Sequence, residues 1–230
     1  MADHQVVTND EWLDARKELL AKEKEFTRLR DELSRQRREL PWEAVAKEYV
    51  FDGPSGKQTL ADLFDGRSQL VVYHFMFDPE DDEGCAHCSF WADSFDLIVV
   101  HLNARDVTMV AVSRAPLAKI APYRKRMGWS FHWVSSFENE FNVDYGVSFA
   151  PEQQDEAVYN YGTLRPRNPD REGLSVFHKD EKGAVFHTYS AYARGIDMVN
   201  TAYHYLDLVP KGRDEEDRSP QLWVRRRDEY

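Results

Sequence analysis

The chain has 230 residues, of which 42% are hydrophobic, 13% aromatic and 31% charged. This composition can supply the core of one sizeable domain with an additional arm, and the negative mean hydropathy is typical of a soluble protein. The formal net charge of −11 argues against nucleic acid and anionic membranes as partners. The sequence has no apolar run near the ~18 residues of a membrane span and no secretory signal at its start, so we expect a cytoplasmic protein.

A long helix is predicted from Thr8 to Leu40, because Thr8 and Glu11 match the capping-box pattern and no Gly or Pro occurs before Pro41. Its apolar residues repeat every seven positions and form one stripe: Trp12, Leu19, Phe26, Leu33 and Leu40. The positions that would complete a coiled-coil seam are only half apolar: Ala15, Lys22, Leu29 and Gln36. We therefore interpret residues 1–41 as a helical arm that packs on the main domain or forms a homodimer with a second copy.

Residues 42–210 are predicted to form one domain in which strands and helices alternate, which favours a parallel sheet with crossover helices. The most apolar run, residues 70–77, predicts a central strand that is covered on both faces. Other predicted strands are 49–51, 107–113, 131–135 and a hairpin around 180–183; predicted helices are 60–64, 89–105, 116–127 and 196–206. Residues 211–230 form a charged tail that is expected to dock on the domain through Leu222, Trp223 and Val224.

The two cysteines of the chain, Cys85 and Cys88, stand between the predicted central strand and the next predicted helix. A helix N-terminus stabilises a thiolate, so Cys85 is the predicted nucleophile and Cys88, about one turn further, is the predicted resolving thiol. His87 would favour the Cys85 thiolate, whereas the five carboxylates of residues 78–83 would disfavour it by like-charge repulsion. We expect a modest net lowering of the pKa of Cys85.

Metal binding is the alternative use of these thiols. His74, His132, His178 and His187 lie on predicted strands, and two of them would have to converge on the cysteines to complete a site. A lone histidine in an apolar strand such as His74 is more often a satisfied core residue. A metal-binding or scaffold protein with the thiols as ligands or spectators therefore remains open, with no metal or cofactor assigned.

Several stretches resemble the thioredoxin-like fold in its peroxiredoxin-type extended form: residues 47–77, CAHC at 85–88, residues 107–128 and the hairpin at 175–189. GCAHCSFWAD and the tail LDLVPKGRDEED…WVRRRDEY resemble more closely the thioredoxin-like family catalogued as domain of unknown function 899. This second resemblance spans essentially the whole chain. It implies an α/β fold with a four- or five-stranded mixed sheet flanked by helices, preceded by the long N-terminal helix, with Cys85 as nucleophile and Cys88 as resolving thiol.

The resemblance also implies the surroundings of the dithiol. Ala86-His87 is similar to the Pro-His of strongly oxidising periplasmic members, in which the histidine stabilises the thiolate. Thioredoxins place a cis-proline before the hairpin, facing the dithiol; residues 171–174 stand there in this chain, so Gly173 is an expected substrate contact. Trp91, three residues past Cys88, belongs either to the helix core or to the cover over the sulfurs, and we count it as the second contact.

The predicted function is a dithiol–disulfide oxidoreductase that acts on a protein or small-molecule disulfide without a cofactor. A thiol peroxidase ranks lower, because peroxiredoxins carry Pro and Thr ahead of their cysteine and this chain has Asp82-Glu83-Gly84. The polar, irregular segment 148–172 offers further candidate substrate contacts if it folds over the site: Tyr159, Tyr161, Arg165 and Arg167.

Overall fold

The computed structural model describes residues 4–150, 156–166, 168–215 and 221–230, and the chain divides into two compact units, Met1–Pro41 and Trp42–Tyr230. The first unit contains one helix, α1 (Asn9–Glu39), in which no residue is buried. Its predicted capping box is confirmed. The Glu11 N–H donates to Thr8 Oγ1 at 3.4 Å and the Thr8 N–H donates to Glu11 Oε2 at 2.9 Å.

The second unit is built on one mixed sheet. Its strands are β1 (Glu43–Ala44), β2 (Val50–Gly53), β3 (Gly56–Thr59), β4 (Gln69–His74), β5 (Val107–Ser113), β6 (His132–Ser135), β7 (Gly173–Lys179) and β8 (Val185–Tyr192). Its helices are α2 (Ala86–Ala92), α3 (Phe95–Asn103), α4 (Leu117–Met127), α5 (Phe141–Asp144) and α6 (Thr201–Leu206), with 3₁₀ helices at Asp62–Phe64 and Ala193–Val199. The strand order is β1-β8-β7-β4-β5-β6-β2-β3.

The connection of these strands is that of the thioredoxin-like fold. Strand β4 leads to the dithiol helix α2 and is flanked by parallel β5 and antiparallel β7, while β7 and β8 form the hairpin. The core β6-β5-β4-β7-β8 has the five strands that the resemblance implied. The sheet is wider than expected because β1 pairs with β8 and the β2–β3 hairpin pairs with β6, which brings the total to eight strands.

Strand β4 is covered on both faces, as its apolar run predicted. Successive side chains of a strand point to opposite faces, and here Tyr73, Phe75 and Phe77 pack in the aromatic cluster that also contains Cys88. Leu70 and Val72 pack in a separate cluster on the other face. Regular strand geometry ends at His74, but the next residues still follow β5, since the N–H of Phe75 donates to the carbonyl of Val112 at 2.9 Å.

The helix predicted at 89–105 is divided into α2 and α3 by an interruption at Asp93 and Ser94. The Ser94 hydroxyl donates to the Trp91 carbonyl at 3.0 Å, and the Asp93 carboxylate accepts the Trp129 indole N–H at 2.9 Å. Side-chain bonds of this kind compete with helix continuation. Helix α2 also begins earlier than predicted, at Ala86, so Cys88 lies inside it.

The helix predicted at 196–206 is likewise divided, into a 3₁₀ helix and α6, because the Asn200 side chain accepts the Tyr203 N–H at 3.1 Å and caps α6. Helix α4 ends as predicted at Gly128, which has a φ of 66°. Across the described residues, no helix is both long and apolar enough to cross a membrane.

Candidate active site

The two thiols lie at the carboxyl end of β4, one on each side of the start of α2. Cys85 is the N-cap residue of α2 and is half-buried, whereas Cys88 lies one turn further and is only 1% exposed. Both are free, and the two cysteines are 4.1 Å apart.

The main chain of Met76 holds both cysteines next to the sheet. Its carbonyl accepts the Cys85 N–H at 3.0 Å, and its N–H donates to the Cys88 sulfur at 3.4 Å. Gly84 precedes the dithiol because there is no room for a side chain: a Cβ there would lie 2.7 Å from the Tyr123 ring and 2.8 Å from the Phe75 ring. The turn into α2 is therefore closely packed on the aromatic core.

The pKa values of the two thiols are shifted in opposite directions. The pKa of Cys85 is well below its ordinary value, first because of hydrogen bonding with Cys88, and then because of His87 and the Cys88 N–H. Burial raises the pKa of Cys88 well above its ordinary value, and the charge on Cys85 raises it further. The pKa of His87, which is exposed, is raised chiefly by hydrogen bonding with Cys85. An attacking thiolate beside a protonated resolving thiol is the starting state that dithiol exchange requires.

The acidic run repels the Cys85 thiolate less than its charge suggests, because arginines neutralise part of it. Asp78 is paired with Arg114, whose Nε also donates to Asp170 at 2.6 Å. Glu83 is paired with Arg126 and with Arg226, the latter at 3.0 Å. The lowering of the Cys85 pKa is stronger than the modest shift expected from the sequence, and its largest cause is hydrogen bonding with Cys88.

Both thiols line a cavity of about 1090 Å³. Its walls come from the dithiol turn, the residues before β7, the 3₁₀ helix Ala193–Val199 and the chain from Lys211 to Glu215. Charged side chains of both signs line it: Arg171, Glu172, Arg194, Asp197, Lys211, Arg213, Asp214 and Glu215. A cleft of this size, with perturbed thiols at its base, is the default candidate for a binding site.

Sequence reasoning missed two residues of this cavity. Burial raises the pKa of the Glu172 carboxyl, which also interacts electrostatically with both cysteines. Tyr73 packs in the core cluster that contains Cys88, lines the cavity, and interacts electrostatically with both thiols. The stretch 171–174 was expected to face the dithiol, so Glu172 could have been found there, whereas Tyr73 looks like any aromatic residue of an apolar strand.

The predicted contacts are placed as follows. Trp91 is buried, lines the cavity, and donates its indole N–H to the Ile196 carbonyl at 3.1 Å, so it belongs both to the helix core and to the cavity wall. Gly173 is buried at the start of β7 between Tyr192 and Val147 and is not among the described residues that line the cavity. Its neighbour Glu172 occupies the wall.

The candidate substrate contacts predicted in segment 148–172 do not line the cavity where the structure describes them. Tyr159 is buried, and its hydroxyl donates to the Glu172 carbonyl at 2.5 Å, which positions that residue. The Tyr161 hydroxyl donates to the Ser190 carbonyl at 2.9 Å. Neither tyrosine is among the described residues lining the cavity, nor is Arg165, and Arg167 lies outside the described residues.

The histidines on strands do not converge on the thiols. His74 is 1% exposed and contacts Asn142 Oδ1 at 3.2 Å and Ser175 Oγ at 2.9 Å, as a satisfied core residue would. His132 contacts Gln58, and His187 contacts Ser190. In the part of the chain that the structure describes, no three His, Cys, Asp or Glu side chains are grouped to hold a metal ion.

The chain matches the model of one known protein family. Over residues 1–230 the chain matches the model of the family described as "Bacterial protein of unknown function (DUF899)". The chain belongs to this family. No curated protein sequence matches the chain.

Several solved structures are similar to part of this chain. Peroxidoxin BcpB from Mycobacterium tuberculosis is 14% identical with a TM-score of 0.47, and the match covers 70% of this chain and 93% of that chain. Peroxiredoxin Q from Xanthomonas campestris is 15% identical with a TM-score of 0.43, covering 71% and 95%. A putative thiol:disulfide interchange protein DsbE from Chlorobium tepidum is 15% identical with a TM-score of 0.38, covering 65% and 86%.

Proposed function

We propose that this protein is a thiol–disulfide oxidoreductase in which Cys85 is the nucleophile and Cys88 the resolving thiol. The observation that carries the proposal is the pair of opposite pKa shifts in two adjacent cysteines at the base of a cavity. The Cys85 thiolate is exposed to a substrate, while Cys88 stays protonated and buried until it is needed.

The reaction has two steps. The Cys85 thiolate attacks one sulfur of the substrate disulfide, the substrate S–S bond breaks, and one substrate thiolate leaves with the electron pair. Cys88 then loses its proton and attacks the Cys85 sulfur, and the second substrate thiolate leaves. The substrate gains two electrons and the protein keeps a Cys85–Cys88 disulfide, which a thiol or dithiol reductant reduces again.

His87 tunes the first step in this proposal, and Trp91 forms one wall of the substrate cavity. The substrate is a disulfide carried by a protein or by a small molecule, and Gly173 remains a proposed contact for its main chain. A second copy of the chain is the partner that we propose for α1, whose apolar stripe is exposed along its length.

The proposal predicts a reversible two-electron transition of the Cys85/Cys88 pair between about −120 and −270 mV, the range of dithiol oxidoreductases. The measurement equilibrates the protein with glutathione buffers and counts free thiols by alkylation and mass spectrometry.

Cys85→Ser should abolish disulfide reduction, and Cys88→Ser should accumulate the mixed disulfide. No disulfide across that range, or unchanged reduction by Cys85→Ser, would contradict the proposal, and stoichiometric metal lost on replacing both cysteines would favour the ligand alternative.

A further inference from the structure

Tyr73 carries a buried hydroxyl with no hydrogen-bond partner at the site of the two thiols. The residue is 0% exposed, and its hydroxyl oxygen is one of the few buried side-chain polar atoms without a partner among the described residues. The hydroxyls of Tyr123, Tyr159 and Tyr203 all have partners. An unsatisfied buried hydroxyl destabilises the fold relative to phenylalanine. The presence of tyrosine next to Cys88 is explained if the hydroxyl gains a hydrogen-bond acceptor during the reaction.

The second step of the proposed reaction creates such a partner. Cys88 must ionise although it is buried, and the one hydrogen bond that its sulfur accepts from the main chain comes from Met76, at 3.4 Å. A thiol is a weak acceptor, whereas a thiolate is a strong, charge-assisted one. Tyr73 lines the same cavity as both cysteines, and the pKa of its hydroxyl is raised first by burial and then by interaction with Cys88 and Cys85.

We propose that Tyr73 is a catalytic residue of the resolving step, in which its hydroxyl donates a hydrogen bond to the Cys88 thiolate. This inference rests on the proposed function. As Cys88 attacks the Cys85 sulfur, a bond forms between the two protein sulfurs and the bond from Cys85 to the substrate sulfur breaks. The proton of Cys88 ends on the released substrate thiolate, and Tyr73 keeps its own proton throughout.

The test is Tyr73→Phe, which keeps the ring that packs in the core and removes only the hydroxyl. Single-turnover experiments should show unchanged formation of the mixed disulfide and unchanged pH dependence of Cys85 alkylation. Resolution of the mixed disulfide should be slowed by about 10- to 100-fold, the range expected for losing a hydrogen bond to a charged group. The melting temperature should stay the same or rise, because an unpaired polar group is removed.

The matched control is Tyr49→Phe, a buried tyrosine of the other core cluster whose hydroxyl donates to Asp144 at 2.8 Å. It should lose stability and leave both chemical steps unchanged. Equal resolution rates for Tyr73→Phe and the unmodified protein would overturn the role of Tyr73. A protein that forms no mixed disulfide at all would instead overturn the proposed function.

Charged residues flank the apolar stripe of α1 on both sides. With the stripe taken as the a positions of a heptad, every g position is Glu: Glu11, Glu18, Glu25, Glu32 and Glu39. The e positions are Arg16, Glu23, Arg30 and Arg37. The apolar side chains of the seam are between 42% and 65% exposed: Trp12, Leu19, Phe26, Leu29, Leu33 and Leu40.

The charges at the e and g positions distinguish parallel from antiparallel pairing of two α1 helices. In a parallel dimer each g residue faces the e residue of the next heptad in the partner helix. Three of the four pairs are then opposite in charge: Glu11 with Arg16, Glu25 with Arg30, and Glu32 with Arg37, whereas Glu18 faces Glu23. In an antiparallel dimer g faces g, and every such pair sets Glu against Glu.

We infer that α1 pairs with α1 of a second copy as a parallel, in-register coiled coil. The inference deepens the proposed self-association by assigning its orientation. Lys22 and Gln36 weaken the seam at two d positions, and polar residues at such positions restrict register at a cost in stability. Leu13 and Leu20 lie outside this seam.

Cross-linking tests the orientation on the full chain carrying Cys85→Ser and Cys88→Ser. Ala15→Cys places one thiol at a d position, where a parallel dimer brings the two copies of the residue together and oxidation should link nearly all chains in pairs. Ala21→Cys, on the outer face, is the control and should not link. Sedimentation should give the mass of a dimer, and Phe26→Asp should give a monomer.

Two outcomes would overturn this inference in different ways. A dimer in which Ala15→Cys links only to a Leu33→Cys chain would be antiparallel, because a d position then faces an a position of the partner helix. A monomer at all concentrations would mean that two copies do not associate through α1, which would refute the proposed self-association as well.

Discussion

Cys85 and Cys88 are three positions apart in the chain, and the start of α2 between them gives each thiol a different environment. Cys85 faces the cavity with His87 and the Cys88 N–H close to its sulfur, so its thiolate is stabilised. Cys88 is enclosed by the aromatic core, so its neutral form is favoured. One turn of helix thus separates the proposed nucleophile from the proposed resolving thiol.

At this scale we predict that His87→Asn shifts the pH profile of Cys85 alkylation upward. The pKa of Cys85 is lowered partly by His87, so the midpoint of the variant's profile should move to higher pH, and below that midpoint the variant should hold less thiolate and react about 3- to 10-fold more slowly with iodoacetamide. Mass spectrometry identifies the modified cysteine. His101→Asn, on the exposed face of α3, should leave the profile unchanged, and coincident profiles for His87→Asn and the unmodified protein would refute the tuning role.

Sequence reasoning identified the thiols and His87 because their chemistry follows from adjacent positions in the chain. It did not identify Tyr73, because alternation along a strand predicts which face a residue occupies but not which group it meets there. Its prediction of Gly173 as a substrate contact stays a prediction, and the neighbouring Glu172 lines the cavity.

At the scale of elements, the C-terminal segment contributes to the structure around α2. Arg226 Nη2 donates to the Gly84 carbonyl at 3.0 Å, and its Nε donates to the Tyr123 hydroxyl at 3.1 Å. Val224 is buried, and the ring of Trp223 lies 5.3 Å from that of Phe90 between centroids. These contacts fit the expectation that Leu222, Trp223 and Val224 dock on the domain, although Leu222 is exposed.

We therefore predict that Arg226→Gln lowers the free energy of unfolding by about 1–3 kcal/mol, the cost of losing charge-assisted hydrogen bonds at a partly buried site. Urea denaturation measures this change. Arg225→Gln is the matched control, because the Arg225 guanidinium donates to carbonyls of its own segment, at Leu222 and Val224. Equal stability of the two variants would show that the segment does not anchor the dithiol turn.

Strands and helices with a strong local pattern were predicted correctly, and those defined by distant partners were not. Strand β5 was predicted at its observed bounds, 107–113, because its run is apolar throughout. Strands β1 and β3 were missed because they are short and polar and exist only by pairing with β8 and β2. The interruption between α2 and α3 depends on Trp129, a residue from a later part of the chain.

At the scale of the whole molecule, the two units differ in what stabilises them. The second unit buries aromatic clusters on both faces of its sheet. The first is a single helix without a buried residue, and most helical stability in proteins comes from packing of an amphipathic face. Pairing with a second copy would supply that packing and would bring two copies of the dithiol unit into one assembly.

The sequence by itself determined the long capped helix, the central strand that is covered on both faces, the thioredoxin-like core and the location of the two cysteines between a strand and a helix. These features depend on side chains a few positions apart, whose spacing and capping act locally. Only the tertiary structure decided the widened sheet, the charges that neutralise the acidic run and the groups that face the thiols. Those depend on contacts such as that of Arg226 with Gly84, which are 142 positions apart in the chain. The spacing of neighbouring residues in the sequence does not predict contacts between residues that far apart.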